Sequence, residues 1–376
     1  MSQTDLAAPD LARVPRLGVV IVAFNSADVI LDCLESLLAS GGVALSVVVV
    51  DNGSGDGTPD LLRAWAAGKP WQPAPDLPFA LTPTAKPLRL DGTAPDDANP
   101  HRITLLDTGI NAGFAAGVNR GLALLAADQG LERFWILNPD SVAGPDTARA
   151  FASHAGPESA PDFALMGGRV LYLETPEMIQ IDGGTLNRRS GVTGNLGLGQ
   201  ASAATPAPDP GAMDFITGAS MVASRRFYAA AGPMPEDYFL YYEEVDWALR
   251  RHALPHSQSV HSQSGPLPLA YCAQALVWHR AGTAIGSPTL GRPASAFSLY
   301  FKHRARLRFV WRHFPASLPG ALAYSLAKAL QLLAKGYPVE AWTILSASLG
   351  LGPSAAVRAR LSPEAAALAF APAPKR

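Results

Sequence analysis

The chain has 376 residues, enough core for one large domain or two, and 48% hydrophobic with 16% charged content describes an ordinary globular protein poor in charge. A formal net charge of −1 excludes a general pull toward nucleic acid or an anionic surface. Two cysteines, Cys33 and Cys272, make neither a disulfide framework nor a CxxC metal pair, as expected of a reducing cytosol.

Residues 1–16 are polar and lack an apolar h-region, and no uninterrupted apolar run approaches the roughly 20 residues of a membrane span. A cytoplasmic protein, peripheral at the inner face of the membrane at most, is expected. The run LGVVIVAF at 17–24 predicts a buried strand, and ADVILDCLESLLAS at 27–40 a helix with Ile30, Leu31, Leu34, Leu37 and Leu38 at helical spacing. A strand at 45–51, a helix at 56–68, a strand at 102–107, a helix at 117–128 and a strand at 133–138 continue the alternation. Strands apolar throughout, separated by helices, predict a doubly wound, mainly parallel α/β sheet covered on both faces.

Two stretches break the rhythm. Residues 68–100 hold eight prolines and no periodicity, so they read as a long surface insertion. Residues 253–268 read as a second one, a solvated Ser/Gln/Pro loop, with a metal role for His256 and His261 as the sharper alternative. After residue 294 the chain turns helical and basic, with eleven Lys/Arg against two Glu from residue 300 onward, and its last residues, rich in Ala and Pro, read as frayed.

In a doubly wound sheet, ligands sit beyond the carboxyl ends of the strands. Those exits read AFNS at 23–26, DNGSGDGT at 51–58, DTGINAGFAAGVN at 107–119 and NPDS at 138–141. Small, amide and carboxylate residues dominate all four, which suits a nucleotide diphosphate. An Asp such as Asp51 accepts from a base N–H, and glycines let backbone approach a base or a phosphate. The Asn111–Gly113 loop ahead of a helix offers N–H groups to an anion. Asp140, presented by a strand that Pro139 must end, would hold a divalent cation against the diphosphate. Each piece also has a plainer reading as turn, helix cap or close helix packing; the conjunction of four exits on one sheet edge favours the nucleotide. GxGxxG is absent after the first strand, against a nicotinamide enzyme.

The segments VVIVAFNSADVILDCLESLL, VVVVDNGSGDGT, NAGFAAGVNRGL and WILNPDSV resemble the family 2 glycosyltransferases, and among them the bacterial rhamnosyltransferase-like members, over roughly residues 17–310. The resemblance implies a GT-A fold, a nucleotide-sugar donor, inversion at the anomeric carbon and Mg2+ or Mn2+. Ala23, Asn25, Asp51, Asn111, Gly113, Asn119 and Asn138 fall on donor-binding positions. Where relatives show DxD this chain has NPD, so Asn138 replaces the first Asp and Asp140 remains as metal ligand. The segment FITGASMVASRRFYAAAG implies an acceptor side at Gly218 and Ala219. In DYFLYYEEVDWALRRH the family's ED pair is Glu243–Glu244, making Glu244 the implied general base, with Asp246 and Trp247 on the acceptor side. From the residues alone, the same acids also suit a helix start, with Asp246–Arg250 as an i,i+4 pair. LVWHRAGTAIG implies His279 as a metal or diphosphate ligand, and YFKHRARLRFVWRHFP implies Arg304 at the diphosphate, although Ala305 stands where Asn is usual. A basic amphipathic helix on solvent or headgroups is the alternative there.

The expected organisation is a flexible N-terminus at 1–16, a transferase domain at 17–292 with insertions at about 68–101 and 253–268, helices at 293–362 and a frayed tail at 363–376. The expected partners are a nucleotide-diphosphate sugar and a glycan or lipid-linked acceptor. The C-terminal helices dock on the domain, pair subunits or rest on the inner membrane. A non-catalytic transferase-like partner in assembly or membrane recruitment is the competing class. A pyrophosphorylase would need basic residues after the first strand, where AFNSADV has none.

Overall fold

The computed structural model describes residues 14–93, 100–154, 163–253, 267–280 and 293–371. Strands β1 (Arg16–Ala23), β2 (Ala44–Asp51), β3 (Arg102–Asp107) and β4 (Arg133–Leu137) pair in parallel in the order β3-β2-β1-β4. Their side chains alternate between two cores. Leu17, Val19, Ile21 and Ala23 of β1 pack under α1 (Ile30–Leu38) and α2 (Thr58–Ala66), while Val20 and Val22 pack under α3 (Phe114–Ala126). Both faces are covered by helices, which is why these strands read as unbroken apolar runs. On α3, Gly117 and Gly121 face Val22 and Val20; a Cβ there would stand 2.6 and 2.5 Å from the valine methyls. Those two glycines serve close helix–sheet packing, the plainer of the readings of NAGFAAGVN.

Beyond β4 the sheet becomes mixed. The chain runs through β5 (Ser141–Ala143), α4 (Thr147–Ser153), β6 (Leu165–Tyr172), β7 (Ile179–Ile181), the hairpin β8 (Gly184–Asn187) with β9 (Val192–Asn195), β10 (Ser220–Ser224), α5 (Arg225–Ala231), α6 (Glu243–Arg250) and β11 (Ala270–His279). β10 inserts antiparallel between β4 and β6, β11 lies parallel to β6, and β5 closes the edge antiparallel to β11. The C-terminal ends of β4 and β11 thereby approach the turn before β10.

Helices α7 (Ala296–His313), α8 (Leu318–Ala334), α9 (Pro338–Ser348), α10 (Ala355–Arg358) and α11 (Pro363–Ala369) follow. α7 is no appendage: Ala305, Leu307, Phe309 and Val310 belong to the same core cluster as Val20 and Val22. The expected frayed tail is, through residue 369, a helix. Ser362 caps it by accepting from the Ala365 N–H at 3.2 Å, Pro363 occupies its first turn, and the Phe370 ring stacks on Phe301. No helix among the described residues is long and apolar enough to cross a membrane. Residues 1–13, and with them most of the expected flexible N-terminus, lie outside the described residues, as do His256 and His261 of the second insertion.

Among its described residues the proline-rich insertion crosses the surface without helix or extended strand, yet it is pinned from beneath. Glu35 of α1, fully buried, accepts from Trp65 Nε1 at 2.7 Å, from the Thr84 N–H and hydroxyl at 2.7 Å and from Lys86 Nζ at 2.8 Å. Burial by itself would raise the Glu35 pKa, but Lys86 and Thr84 leave it below the ordinary carboxylate value. Its contribution is therefore present above the unfolded value and lost as pH falls through the lowered folded one. Glu35→Gln is expected to cost about 2 kcal/mol at neutral pH and less as the pH falls below 4.5, the ordinary carboxylate value, read by denaturant unfolding. An unchanged midpoint at neutral pH would show the insertion to be loosely held.

Candidate active site

The exits of β1 and β2 are stitched together. Asn25, with a left-handed φ of 51°, receives the Gly55 N–H on its Oδ1 at 2.8 Å, and its own N–H reaches Ser54 Oγ at 2.9 Å. The N–H of Ala27 binds Asp56, and the carbonyl of Ala23 accepts from Asn52 N. Asp51 is buried; its Oδ2 accepts from the Ser54 N–H at 2.9 Å, while Oδ1 has no partner among the described residues. A buried carboxylate oxygen without a donor is costly unless a ligand supplies one. Gly53, φ 70°, lets the loop pass Ile110, whose backbone N would stand 2.8 Å from a Cβ.

The third exit differs from expectation. Gly113 has φ 97°, and a Cβ there would meet the Phe239 carbonyl oxygen at 2.6 Å, because the Phe114 N–H donates to that oxygen at 3.0 Å. Asn111 Oδ1 takes the Gly113 N–H at 3.0 Å. The first N–H of α3 is thus taken by the Phe239 backbone. Asn119 is committed as well. Its amide donates to Met234 O and Glu236 Oε1, both at 2.8 Å, and accepts from Met234 N at 2.8 Å. It ties α3 to the segment before α6 and does not face the donor side.

At the fourth exit the expected groups meet. Asp140 Oδ1 lies 3.1 Å from His279 Nε2, and Asn138 Nδ2 lies 3.3 Å from the same nitrogen. The Asn138 N–H binds Ala219 O at 3.0 Å and the Arg280 N–H binds Asp140 O at 2.9 Å, which locks this turn to β10 and β11. Gln180 Oε1, 2.7 Å from His279 Nδ1, orients the ring so that Nε2 points at Asp140. Burial alone would lower the His279 pKa, but the Asp140 charge and hydrogen bond bring it above the usual imidazole value. Among the described residues no three His, Cys, Asp or Glu side chains gather as a complete metal cage. One carboxylate and one imidazole converging with an amide do fit a Mg2+ or Mn2+ that takes its remaining ligands from phosphate oxygens and water.

A cavity of about 170 Å³ opens beside this turn, lined by Gln180, Ala219, Tyr241, Glu244, His279 and Lys302 among others. Glu244, His279 and Ala219 therefore line one cavity. Gly218 sits in the adjoining turn, 3.3 Å in Cβ terms from the Phe114 ring. The loop into α6 is strained: Phe239, Tyr241 and Tyr242 all have φ between 67° and 71°. Contacts hold it there, with Tyr241 OH 2.7 Å from Ser298 Oγ, Tyr242 OH donating to Gly191 O at 2.6 Å and the Phe239 ring on Phe301. Glu243 is buried with Oε2 unpartnered among the described residues. Burial, then the Glu244 charge, push its pKa well up; burial also raises that of Glu244, which backbone N–H groups and Lys302 partly offset. Two adjacent carboxyls do not both ionise readily. Of the two, Glu243 is the harder to ionise.

Asp246, Trp247 and Arg304 stand apart from this cavity. Asp246 accepts from Tyr238 OH at 2.7 Å and Arg312 at 2.9 Å, lies 2.9 Å from His313 and pairs with Arg250 at 3.5 Å. Burial would raise its pKa, but His313, Tyr238 and Arg312 bring it down to about 2. This is an ion network that docks α6 on α7. Trp247 is a core residue, tilted against Phe227 with its indole N–H on Gly232 O. Arg304 donates to the carbonyls of Ala369 and Ala371, so it holds the end of α11 instead of a diphosphate. Lys302, Gln180 and Tyr241 escaped the sequence reading. For Gln180 the signal exists: it alternates with the buried Ile179 and Ile181, so a strand places it on the opposite face.

Residues 18–74 match the family model described as glycosyl transferase family 2. A curated relative, the succinoglycan biosynthesis protein ExoO of Rhizobium meliloti, is 48% identical over 56 residues, which are 15% of this chain and 16% of that protein. Among solved structures, a mannosyltransferase from Pyrobaculum calidifontis in complex with GDP-Man and Mn2+ aligns with TM-score 0.46 at 16% identity, over 91% of this chain and 88% of that one. S. aureus TarS aligns with TM-score 0.43 at 11% identity, over 94% and 88%. The matched family segment runs from β1 past α2 and carries Ala23, Asn25 and Asp51 at its strand exits, and over that segment the chain is similar to glycosyl transferase family 2.

Proposed function

We propose that the protein is an inverting glycosyltransferase that moves a sugar from a nucleotide-diphosphate donor to a hydroxyl of a glycan or lipid-linked acceptor. One observation carries this reading: Glu244 and His279 line a single cavity, and Asp140 lies 3.1 Å from that histidine at the mouth of β4. Asp51 Oδ1 takes the N–H of the base, and the loops built on Asn25 and Gly53 pass beneath the nucleoside. Asp140 and His279, with Asn138 beside them, would hold a divalent cation. When bound, that Mg2+ or Mn2+ supplies positive charge against the departing diphosphate. Glu244 takes the proton of the acceptor hydroxyl as its oxygen attacks the anomeric carbon, and the nucleoside diphosphate leaves from the opposite side, so the centre inverts. Burial suits Glu244 to this role, since a raised pKa makes a carboxylate a stronger base. Sequence resemblance to the rhamnosyltransferase-like members favours dTDP-rhamnose as the donor.

Thermal unfolding with UDP, dTDP or GDP, each with and without Mn2+, tests the reading. One nucleotide is expected to stabilise the protein, by about 2.7 kcal/mol at a hundredfold excess over its Kd. The metal-dependent part of that gain is expected to vanish in Asp140→Ala and the rest to vanish in Asp51→Ala. No stabilisation by any of the three would overturn the donor site and favour a non-catalytic member of the family.

A further inference from the structure

The C-terminal helix α7 presents Ser298, Lys302 and Arg306 at i, i+4 and i+8, hence on one face. Each meets a different wall of the cavity region. Ser298 Oγ lies 2.7 Å from Tyr241 OH and thereby holds the strained loop that launches α6. Arg306 stands over the Tyr324 ring and donates at 2.9 Å to Ser190 O in the turn of the β8–β9 hairpin, whose Thr193 and Asn195 on β9 line the cavity. Between them Lys302 joins Glu244 in the lining of the cavity. Residues 304 and 308, on the other side of the helix, bind the α11 carbonyls and Asp237 instead.

We propose that Lys302 is a positioning residue for the base, its ammonium facing Glu244 so that the carboxylate stays charged and aimed into the cavity, and that α7 thereby completes the active site. The proposal rests on the reading of Glu244 as the base. The charged and titratable groups around Glu244 come from each packed element: Glu243 on its own helix, Tyr241 and Tyr242 in the preceding loop, His279 on β11 and Lys302 on α7. Gln180, Thr193, Asn195 and Thr217 complete the lining and are neutral. Glu243 is a second carboxyl and supplies no favourable charge. Lys302 and His279 are the basic side chains of the lining, and His279 is engaged with Asp140. Lys302 is thus left to offset the burial of Glu244, and its charge works in that direction. Lys302 belongs to an exposed position of α7, so a Met there is accommodated without a buried hole.

The experiment compares wild type, Lys302→Met and Lys302→Arg by two readouts on the full chain. The first is the pH profile of nucleoside diphosphate release from UDP-glucose, GDP-mannose and dTDP-rhamnose with Mn2+. The second is infrared titration of the carboxyl band that disappears in Glu244→Gln, which needs no turnover. Lys302→Met is expected to move the acid limb of the profile and the infrared midpoint upward together by about one pH unit or more, with Lys302→Arg restoring both. An unmoved infrared midpoint in Lys302→Met overturns the proposal, whatever happens to the rate. Absence of turnover in wild type with all three donors would count against the transferase reading, while the infrared midpoint still decides the pairing of Lys302 with Glu244.

Discussion

Glu244→Gln is expected to lower sugar transfer by about 10²- to 10⁴-fold while nucleotide binding, and the thermal stabilisation it brings, stay as in wild type. The amide is the same size and keeps the cavity wall, but it does not accept a proton from the acceptor hydroxyl. Glu243 does not substitute for it. Although adjacent in sequence, Glu243 is buried, and burial and the Glu244 charge push its pKa well up. Glu243→Gln should therefore leave the rate within the range of a structural substitution. With Glu244 removed as the like-charged neighbour, Glu243 becomes easier to ionise, so the double substitution separates the two roles. Initial rates of nucleoside diphosphate release, with donor binding followed by thermal shift, give the comparison. A Glu244→Gln enzyme at wild-type rate would remove Glu244 as the base, and a selective loss in Glu243→Gln would reverse the assignment.

The same pair marks how far the sequence could be read. Strands β1 to β4 fall within one residue of the predicted runs, and β3 occupies the predicted 102–107, because burial on both faces writes itself as an unbroken apolar stretch. Nothing local announces that β10, five residues long, enters antiparallel between β4 and β6, since that choice depends on pairings with residues 56 to 91 positions earlier in the chain. At the site, Asp140, Asn138, His279 and Glu244 were legible from strand exits and motif resemblance, and the fold gathers them. Asn119 was legible as a polar residue in a glycine-rich loop, but its use was not, because the backbone that consumes its amide lies 115 residues away. On α7 the sequence singled out Arg304 and passed over Lys302. Basic and aromatic residues occur all around that helix, so only its docking against Tyr241 and the β8–β9 turn decides which face meets the cavity. Buried Glu35 is a similar case: within a helix it reads as a surface acid, and the three partners that make it a core residue come from α2 and the proline-rich insertion.

Asp182→Ala is expected to destabilise the fold by about 3–5 kcal/mol, the largest loss of stability among the substitutions considered, because it leaves a cation buried without its anion. Arg169 of β6 binds Asp182 through Nε at 3.0 Å and NH2 at 2.8 Å, and the two side chains are 10% and 2% exposed. Tyr271 of β11 adds a hydroxyl to Asp182 Oδ1 at 2.8 Å, and Arg169 also reaches Ser202 O at 2.7 Å. The cluster therefore joins β6 and β11 to the end of β7, one residue beyond Ile181 and two beyond Gln180. A charge pair of this kind is a device of specificity more than of stability: two ions taken out of water recover most of that cost only in each other's presence. Arg169→Met combined with Asp182→Leu is accordingly expected to recover most of the stability lost in either single variant, as read from urea midpoints in a double-mutant cycle. Function should not recover with it. Gln180 aims His279 at Asp140 only while β7 keeps its register, and the apolar pair has no directional bond to set that register. A double variant that regains both stability and metal-dependent nucleotide binding would show that packing alone positions Gln180, and the ion pair would then be dispensable to the site.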